Sequence, residues 1–84
     1  MRLLVADDAA LIRAGLVGLL ERAGHEVVAE AADAPELLAR CSRLAATGEL
    51  PDLVIADVRM PPSMTDDGLR AAVQLREAYP ELPV

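Results

Sequence analysis

The sequence predicts an α/β protein, a doubly wound parallel sheet with helices on both faces. Three observations predict it. Short apolar runs alternate with longer segments in which apolar residues recur every three or four positions. Two of those runs, Leu3-Leu4-Val5-Ala6 and Leu53-Val54-Ile55-Ala56, stop abruptly at aspartate. The order reads strand then helix three times over, the alternation that parallel strands joined by right-handed crossovers produce.

Each element has a local reason. Leu3–Ala6 is too short for a helix and apolar on both faces, as a strand inside a parallel sheet must be. From Ala9 to Ala23, the residues Ile12, Leu16, Leu19, Leu20 and Ala23 form a helical stripe, with Arg13, Glu21 and Arg22 expected outside it. Gly24 supplies the C-terminal stop. Val27-Val28-Ala29 is the second strand. Asp33 is placed to cap a second helix, with Pro35 in its first turn and Glu36 three residues on. Its inner stripe is Leu37, Leu38, Cys41, Leu44 and Ala45, and Thr47-Gly48-Glu49-Leu50-Pro51 breaks it. Leu53–Ala56 repeats the first strand and ends at Asp57. A loop over Val58–Thr65, stiffened by Pro61-Pro62, leads to a third helix capped by Asp66 or Asp67. Leu69, Ala72, Val73 and Leu75 would face inward, and Tyr79-Pro80 would end the helix. Leu82-Pro83-Val84 reads as the start of a fourth strand.

Composition narrows the function. With 84 residues there is room for one domain, and a 54% hydrophobic content excludes a disordered chain. Fourteen acids against eight bases, all of them arginine, give a net charge of −6. That balance argues against a nucleic-acid or anionic-membrane surface, which needs positive charge. No apolar run reaches the roughly 18 residues of a membrane span. Cys41 is alone and has no partner for an intrachain disulfide. A small, acidic domain of the cytoplasm is expected. Tyr79 is the only aromatic residue, so the core must be aliphatic.

The chemistry sits at strand ends. Asp7 and Asp8 follow the first strand and Asp57 follows the third. If those strands are neighbours, all three acids meet at the carboxyl edge of the sheet, where open α/β folds bind ligands. Clustered carboxylates repel one another, and a hard cation such as Mg²⁺ relieves the repulsion while keeping waters and bridging to phosphate. The competing reading makes them caps or loop solubilisers, with Asp8 capping the first helix. His25, before the second strand, reads as a surface polar residue. Cys41 reads as a small core residue and the scattered arginines as solvated helix faces.

With these residues in place, the sequence resembles a known family. Leu3-Leu4-Val5-Ala6-Asp7-Asp8, Leu53-Val54-Ile55-Ala56-Asp57-Val58-Arg59-Met60-Pro61 and Gly68-Leu69 are similar to the receiver domain of bacterial two-component response regulators. Leu11-Ile12-Arg13-Ala14-Gly15-Leu16 resembles the subgroup that carries a LuxR/NarL-type DNA-binding domain downstream. The resemblance implies a flavodoxin-like (CheY-like) fold with strand order 2-1-3-4-5. Only the first three strand–helix units and the start of strand four would be present, so residues 1–84 would be a C-terminally truncated, partial receiver domain. It implies that Asp57 is the phosphoacceptor, served by a sensor histidine kinase. Asp8 would ligate Mg²⁺ directly, Asp7 directly or through water, and Asp57 and the backbone carbonyl of Arg59 would complete the site. Met60-Pro61 would shape the loop presenting that carbonyl, and Gly68 would permit a tight approach near the third helix. DNA would be reached only through a downstream domain.

The family's Ser or Thr after strand four, and its Lys and switching aromatic on strand five, have no counterpart in this chain. The loop from Pro61 to Asp67 is also longer than the family's usual form. Two other functions compete. A receiver-like module used only for interaction or dimerisation would keep the fold without phosphotransfer. An Mg²⁺-dependent phosphohydrolase of haloacid-dehalogenase type would need Asp-x-Asp after a strand, and Asp57-Val58-Arg59 lacks the second acid. Without strands four and five, strand three would be a bare apolar edge, and self-association through it is expected.

Overall fold

The structure is a computed structural model that describes residues 1–84. Three strands, β1 (Arg2–Ala6), β2 (Glu26–Ala31) and β3 (Leu53–Ala56), alternate with three helices, α1 (Ala10–Arg22), α2 (Ala34–Ala46) and α3 (Asp67–Ala78). The sheet is parallel with order β2-β1-β3. β1 is therefore central, and its Leu3, Leu4, Val5 and Ala6 are fully buried. This is the sheet the sequence predicts, with β2 extended at both ends so that Glu30 and Ala31 pair with Val5 and Ala6. A bulge between Leu3 and Leu4 leaves Val28 without a register partner.

The main cluster of the core lies on one face. Leu4 and Ala6 from β1, Ala31 from β2 and Val54 from β3 meet Leu37 and Cys41 of α2, Ala71 and Leu75 of α3, and Met60. The α2 stripe matches the expected one. Its first turn is fully satisfied: Asp33 Oδ1 accepts the Glu36 N–H at 2.7 Å, Pro35 has no N–H, and the Ala34 N–H donates to the Pro61 carbonyl at 3.2 Å. That last bond ties the loop after β3 to the start of α2. Cys41 is buried, and desolvation pushes its thiol above the ordinary range, so it stays protonated as a core residue.

Two helices are rotated from the faces the sequence predicts, although Leu16 and Leu20 of α1 and Leu75 of α3 do turn inward as expected. In α1 the half-buried side is Arg13, Leu16, Val17 and Leu20, whereas Ile12, Leu19 and Ala23 are exposed. Apolar residues surround this helix, so periodicity could not fix its rotation. In α3 the buried residues are Gly68, Ala71 and Leu75, while Leu69 and Val73 are exposed. Small residues face inward there because α3 packs closely on the preceding loop. The α1 C-terminus is a complete Schellman turn: Gly24, at φ +95°, donates to Glu21 and His25 donates to Leu20. Leu82–Val84 forms no strand. Leu82 is buried, and the Pro83 carbonyl accepts the Val54 N–H at 2.9 Å, so the outer edge of β3 carries one ladder bond and is not bare as expected.

Candidate functional site

In-register pairing of β1 and β3 aligns Ala6 with Ala56, which makes the next residues, Asp7 and Asp57, neighbours across the sheet. The main chain continues the ladder through both: the Asp7 N–H donates to the Ala31 carbonyl and the Asp57 N–H to the Ala6 carbonyl, each at 3.0 Å. Asp8 lies one residue further on. Carboxylate oxygens of Asp7, Asp8 and Asp57 all lie within 4.8 Å of one another. Asp7 and Asp8 are half-buried and Asp57 is exposed. The structure thus brings together the three acids singled out from the sequence.

Their surroundings differ. Asp7 Oδ1 accepts the Ala9 N–H at 2.9 Å, which fixes its side chain across the turn into α1. Ala9, not Asp8, occupies the N-cap position, and no side chain caps it, so the capping reading of Asp8 fails. Asp57 Oδ1 has only a 3.4 Å contact to the Arg59 N–H, longer than an ordinary hydrogen bond. Arg59 itself is exposed. Around an octahedral Mg²⁺ with ligands at about 2.0–2.1 Å, opposed oxygens stand about 4.2 Å apart. A cluster spanning up to 4.8 Å therefore suits a hard cation held partly by carboxylate oxygen and partly through water.

Gly68 has a role that only the fold reveals in full. A Cβ built on it would meet the Asp57 carbonyl oxygen at 1.7 Å and the Val58 carbonyl oxygen at 2.9 Å. Its own N–H donates to Val58 O at 2.8 Å. The first turn of α3 thus sits directly on the backbone that presents Asp57. The buried Met60 and the Pro61–Ala34 bond anchor the other side of the same loop. Ser63 donates to Asp67, and Arg70 holds Asp66 at 2.6 Å. Those contacts hold the Asp67 and Asp66 carboxyls below the usual carboxylate range, Ser63 acting chiefly on the first and Arg70 on the second. Asp66 takes the expected N-cap position of α3, but its carboxylate serves Arg70 instead of a backbone N–H.

Near the site, the sequence placed Arg13 wrongly. It is not on the solvent face: its side chain is 20% exposed, and Nη1 donates to the Asp7 carbonyl at 2.6 Å. Nothing in the local pattern signals this. A cleft of about 530 Å³, lined by Leu50, Pro51, Tyr79, Pro80, Glu81 and Leu82, lies beside the segment leading into β3, away from the three acids.

The sheet order and the acid cluster at its carboxyl edge define a class, the response regulator receiver domain. The chain matches that family over residues 3–84 and belongs to it. Domains of this family are in general phosphoacceptors that bind Mg²⁺ in an acidic pocket and interact with histidine kinases. The chain is 43% identical over 74 residues to the transcriptional regulatory protein PdtaR of Mycobacterium tuberculosis, a match covering 88% of this chain and 32% of that protein. It is 34% identical over 85 residues to the oxygen regulatory protein NreC of Staphylococcus haemolyticus, covering 100% of this chain and 36% of the relative. The crystal structure of a LuxR-family two-component response regulator from Aurantimonas sp. SI85-9A1 superposes with a TM-score of 0.77 at 33% identity. That match covers 96% of this chain and 53% of the other. The similarity supports the LuxR/NarL-type subgroup. The chain spans about a third of the length of these curated relatives. None of its helices is long and apolar enough to cross a membrane.

Proposed function

We propose that residues 1–84 are a partial receiver domain in which Asp57 accepts a phosphoryl group from the phosphohistidine of a sensor histidine kinase. The observation that carries this reading is the meeting of Asp7, Asp8 and Asp57 at adjoining strand ends, with Asp57 the exposed member. In the transfer a carboxylate oxygen of Asp57 bonds to phosphorus as the phosphorus–nitrogen bond breaks, and histidine leaves with the electron pair. Asp7, Asp8 and Asp57, with the Arg59 carbonyl, would hold Mg²⁺, which neutralises charge on the transferred group. The chain's own part is positioning. The β1–β3 register fixes Asp57 laterally, and Gly68 lets α3 support its carbonyl from behind.

The likeness to a transcriptional regulatory protein and to a LuxR-family response regulator supports an output in transcription; a downstream DNA-binding domain and a cytoplasmic location belong to the same proposal. A phosphohydrolase is disfavoured, because Arg59 stands where that chemistry needs a second acid. The test is incubation with Mg²⁺ and a small phosphodonor such as phosphoramidate, followed by mass spectrometry. One phosphoryl increment that hydroxylamine removes supports the reading. No increment, under conditions that label a known receiver, leaves an interaction module.

A further inference from the structure

We infer that Arg13 is a positioning residue for the acidic pocket, acting through the Asp7–Asp8 peptide; the inference rests on reading Asp7, Asp8 and Asp57 as the cation site. Arg13 Nη1 donates to the Asp7 carbonyl at 2.6 Å, and its Nε donates to Glu30 Oε1 at 3.1 Å. The Asp7 N–H is already bound to Ala31 of β2, and Asp7 Oδ1 to the Ala9 N–H. Arg13 therefore secures the one remaining main-chain polar group of Asp7, its carbonyl. A peptide unit is planar, so holding its carbonyl oxygen sets the plane and with it the position of the next Cα. That next residue is Asp8, whose carboxylate receives no hydrogen bond from the protein. Asp8 depends on its backbone for placement, and Arg13 holds that backbone.

Glu30 has the complementary task. It sits on β2 opposite Val5, within reach of the guanidinium but on the strand away from Asp57. Its carboxylate offsets a positive charge that would otherwise oppose a cation in the pocket. It also orients the guanidinium so that the fork reaches two acceptors at once, a geometry a lysine ammonium cannot reproduce.

The sign of the effect separates positioning from simple electrostatics. Removing a nearby cationic group should tighten Mg²⁺ binding if charge alone mattered, whereas loss of positioning should weaken it. The experiment is a Mg²⁺ titration followed by the amide signals of Asp8, Ala9 and Asp57, on wild type, Arg13→Met, Arg13→Lys, Glu30→Gln and Asp8→Ala, with a thermal melt of each. Arg13→Met keeps the apolar stem and helix propensity, and should weaken Mg²⁺ about tenfold, the loss expected of an outer-layer partner. Arg13→Lys should recover only part of it, and Glu30→Gln should weaken binding with little change in melting. Mg²⁺ affinity in Arg13→Met equal to or tighter than wild type overturns the inference, provided Asp8→Ala still abolishes binding. If Asp8→Ala binds as wild type does, the cation-site reading fails first and the inference falls with it. Should Arg13→Met not melt cooperatively, Arg13→Lys decides: undiminished affinity there overturns the inference.

Discussion

Replacing Gly68 with alanine puts a methyl carbon where the chain already is. The carbon would stand 1.7 Å from the Asp57 carbonyl oxygen, 2.8 Å from the Asp57 carbonyl carbon and 2.9 Å from the Val58 oxygen. The first of these is about half a van der Waals separation, and all three partners are backbone atoms with no rotamer to escape into. Overpacking typically costs about 1–3 kcal/mol, and a clash with backbone belongs at the upper end, about 3 kcal/mol. Alanine would return about 1 kcal/mol through its better helix propensity in α3. The clash wins, with a net loss of about 2 kcal/mol. For a domain of this size that lowers the melting temperature by about 8–16 °C. Circular dichroism melts of wild type and Gly68→Ala at matched concentration measure the difference. The same shift should displace the Asp57 carbonyl and weaken Mg²⁺ binding in the folded variant. A Gly68→Ala protein that melts at or above the wild-type temperature would mean helix propensity decides, and would refute the close contact between α3 and the Asp57 backbone.

Other consequences can be checked separately. Asp8→Ala should remove most Mg²⁺ affinity, because Asp8 is the one acid of the three with no protein donor to occupy it; an unchanged NMR titration would sink the assignment. Asp66 and Asp67 hold their protons less tightly in the folded loop than as free carboxylates, near pH 4. The Ser63–Asp67 and Asp66–Arg70 contacts should therefore be fully present above that range and be lost as pH falls through the depressed values. Amide signals of Ser63 and Arg70 followed from pH 6 downward should move before the core signals do; simultaneous change would mean the network contributes nothing local. Asp33→Ala removes the α2 cap and should cost about 1 kcal/mol, seen as a lower melting temperature.

The parts of the fold that were legible are those where one signal has one explanation. β1 and β3 show as apolar runs ending in acid, and their parallel pairing follows from the alternation, so Asp7, Asp8 and Asp57 could be expected together. The α2 face was readable because its polar residues, Arg40, Ser42 and Arg43, stand apart from Leu37 and Cys41. α1 was not, since Leu11, Ile12, Leu16, Val17, Leu19 and Leu20 surround the helix and any of several rotations buries a similar area. Arg13 shows the consequence. A charged residue on an apolar helix reads as solvent-facing until the fold supplies the Asp7 carbonyl and Glu30 as partners. In α3 hydropathy favours Leu69 and Val73, yet closeness to the Asp57 loop selects Gly68 and Ala71. The approach of Gly68 to Asp57 O is a contact between residues in different elements, and nothing in the spacing of the sequence measures it.

The central claim is that Asp57, and not the acid at the other end of β3, takes the phosphoryl group. Asp52 is the natural control. It precedes β3, lies at the opposite edge of the sheet from Asp57, and its Oδ2 accepts the Arg2 N–H at 2.7 Å. The decisive measurement is the site of phosphorylation by phosphoramidate and Mg²⁺, mapped by peptide mass spectrometry, in wild type, Asp57→Asn and Asp52→Asn. One hydroxylamine-labile phosphoryl group is expected on the peptide containing Asp57 in wild type and in Asp52→Asn, and none in Asp57→Asn. Undiminished labelling of Asp57→Asn, mapped to another residue, would contradict it.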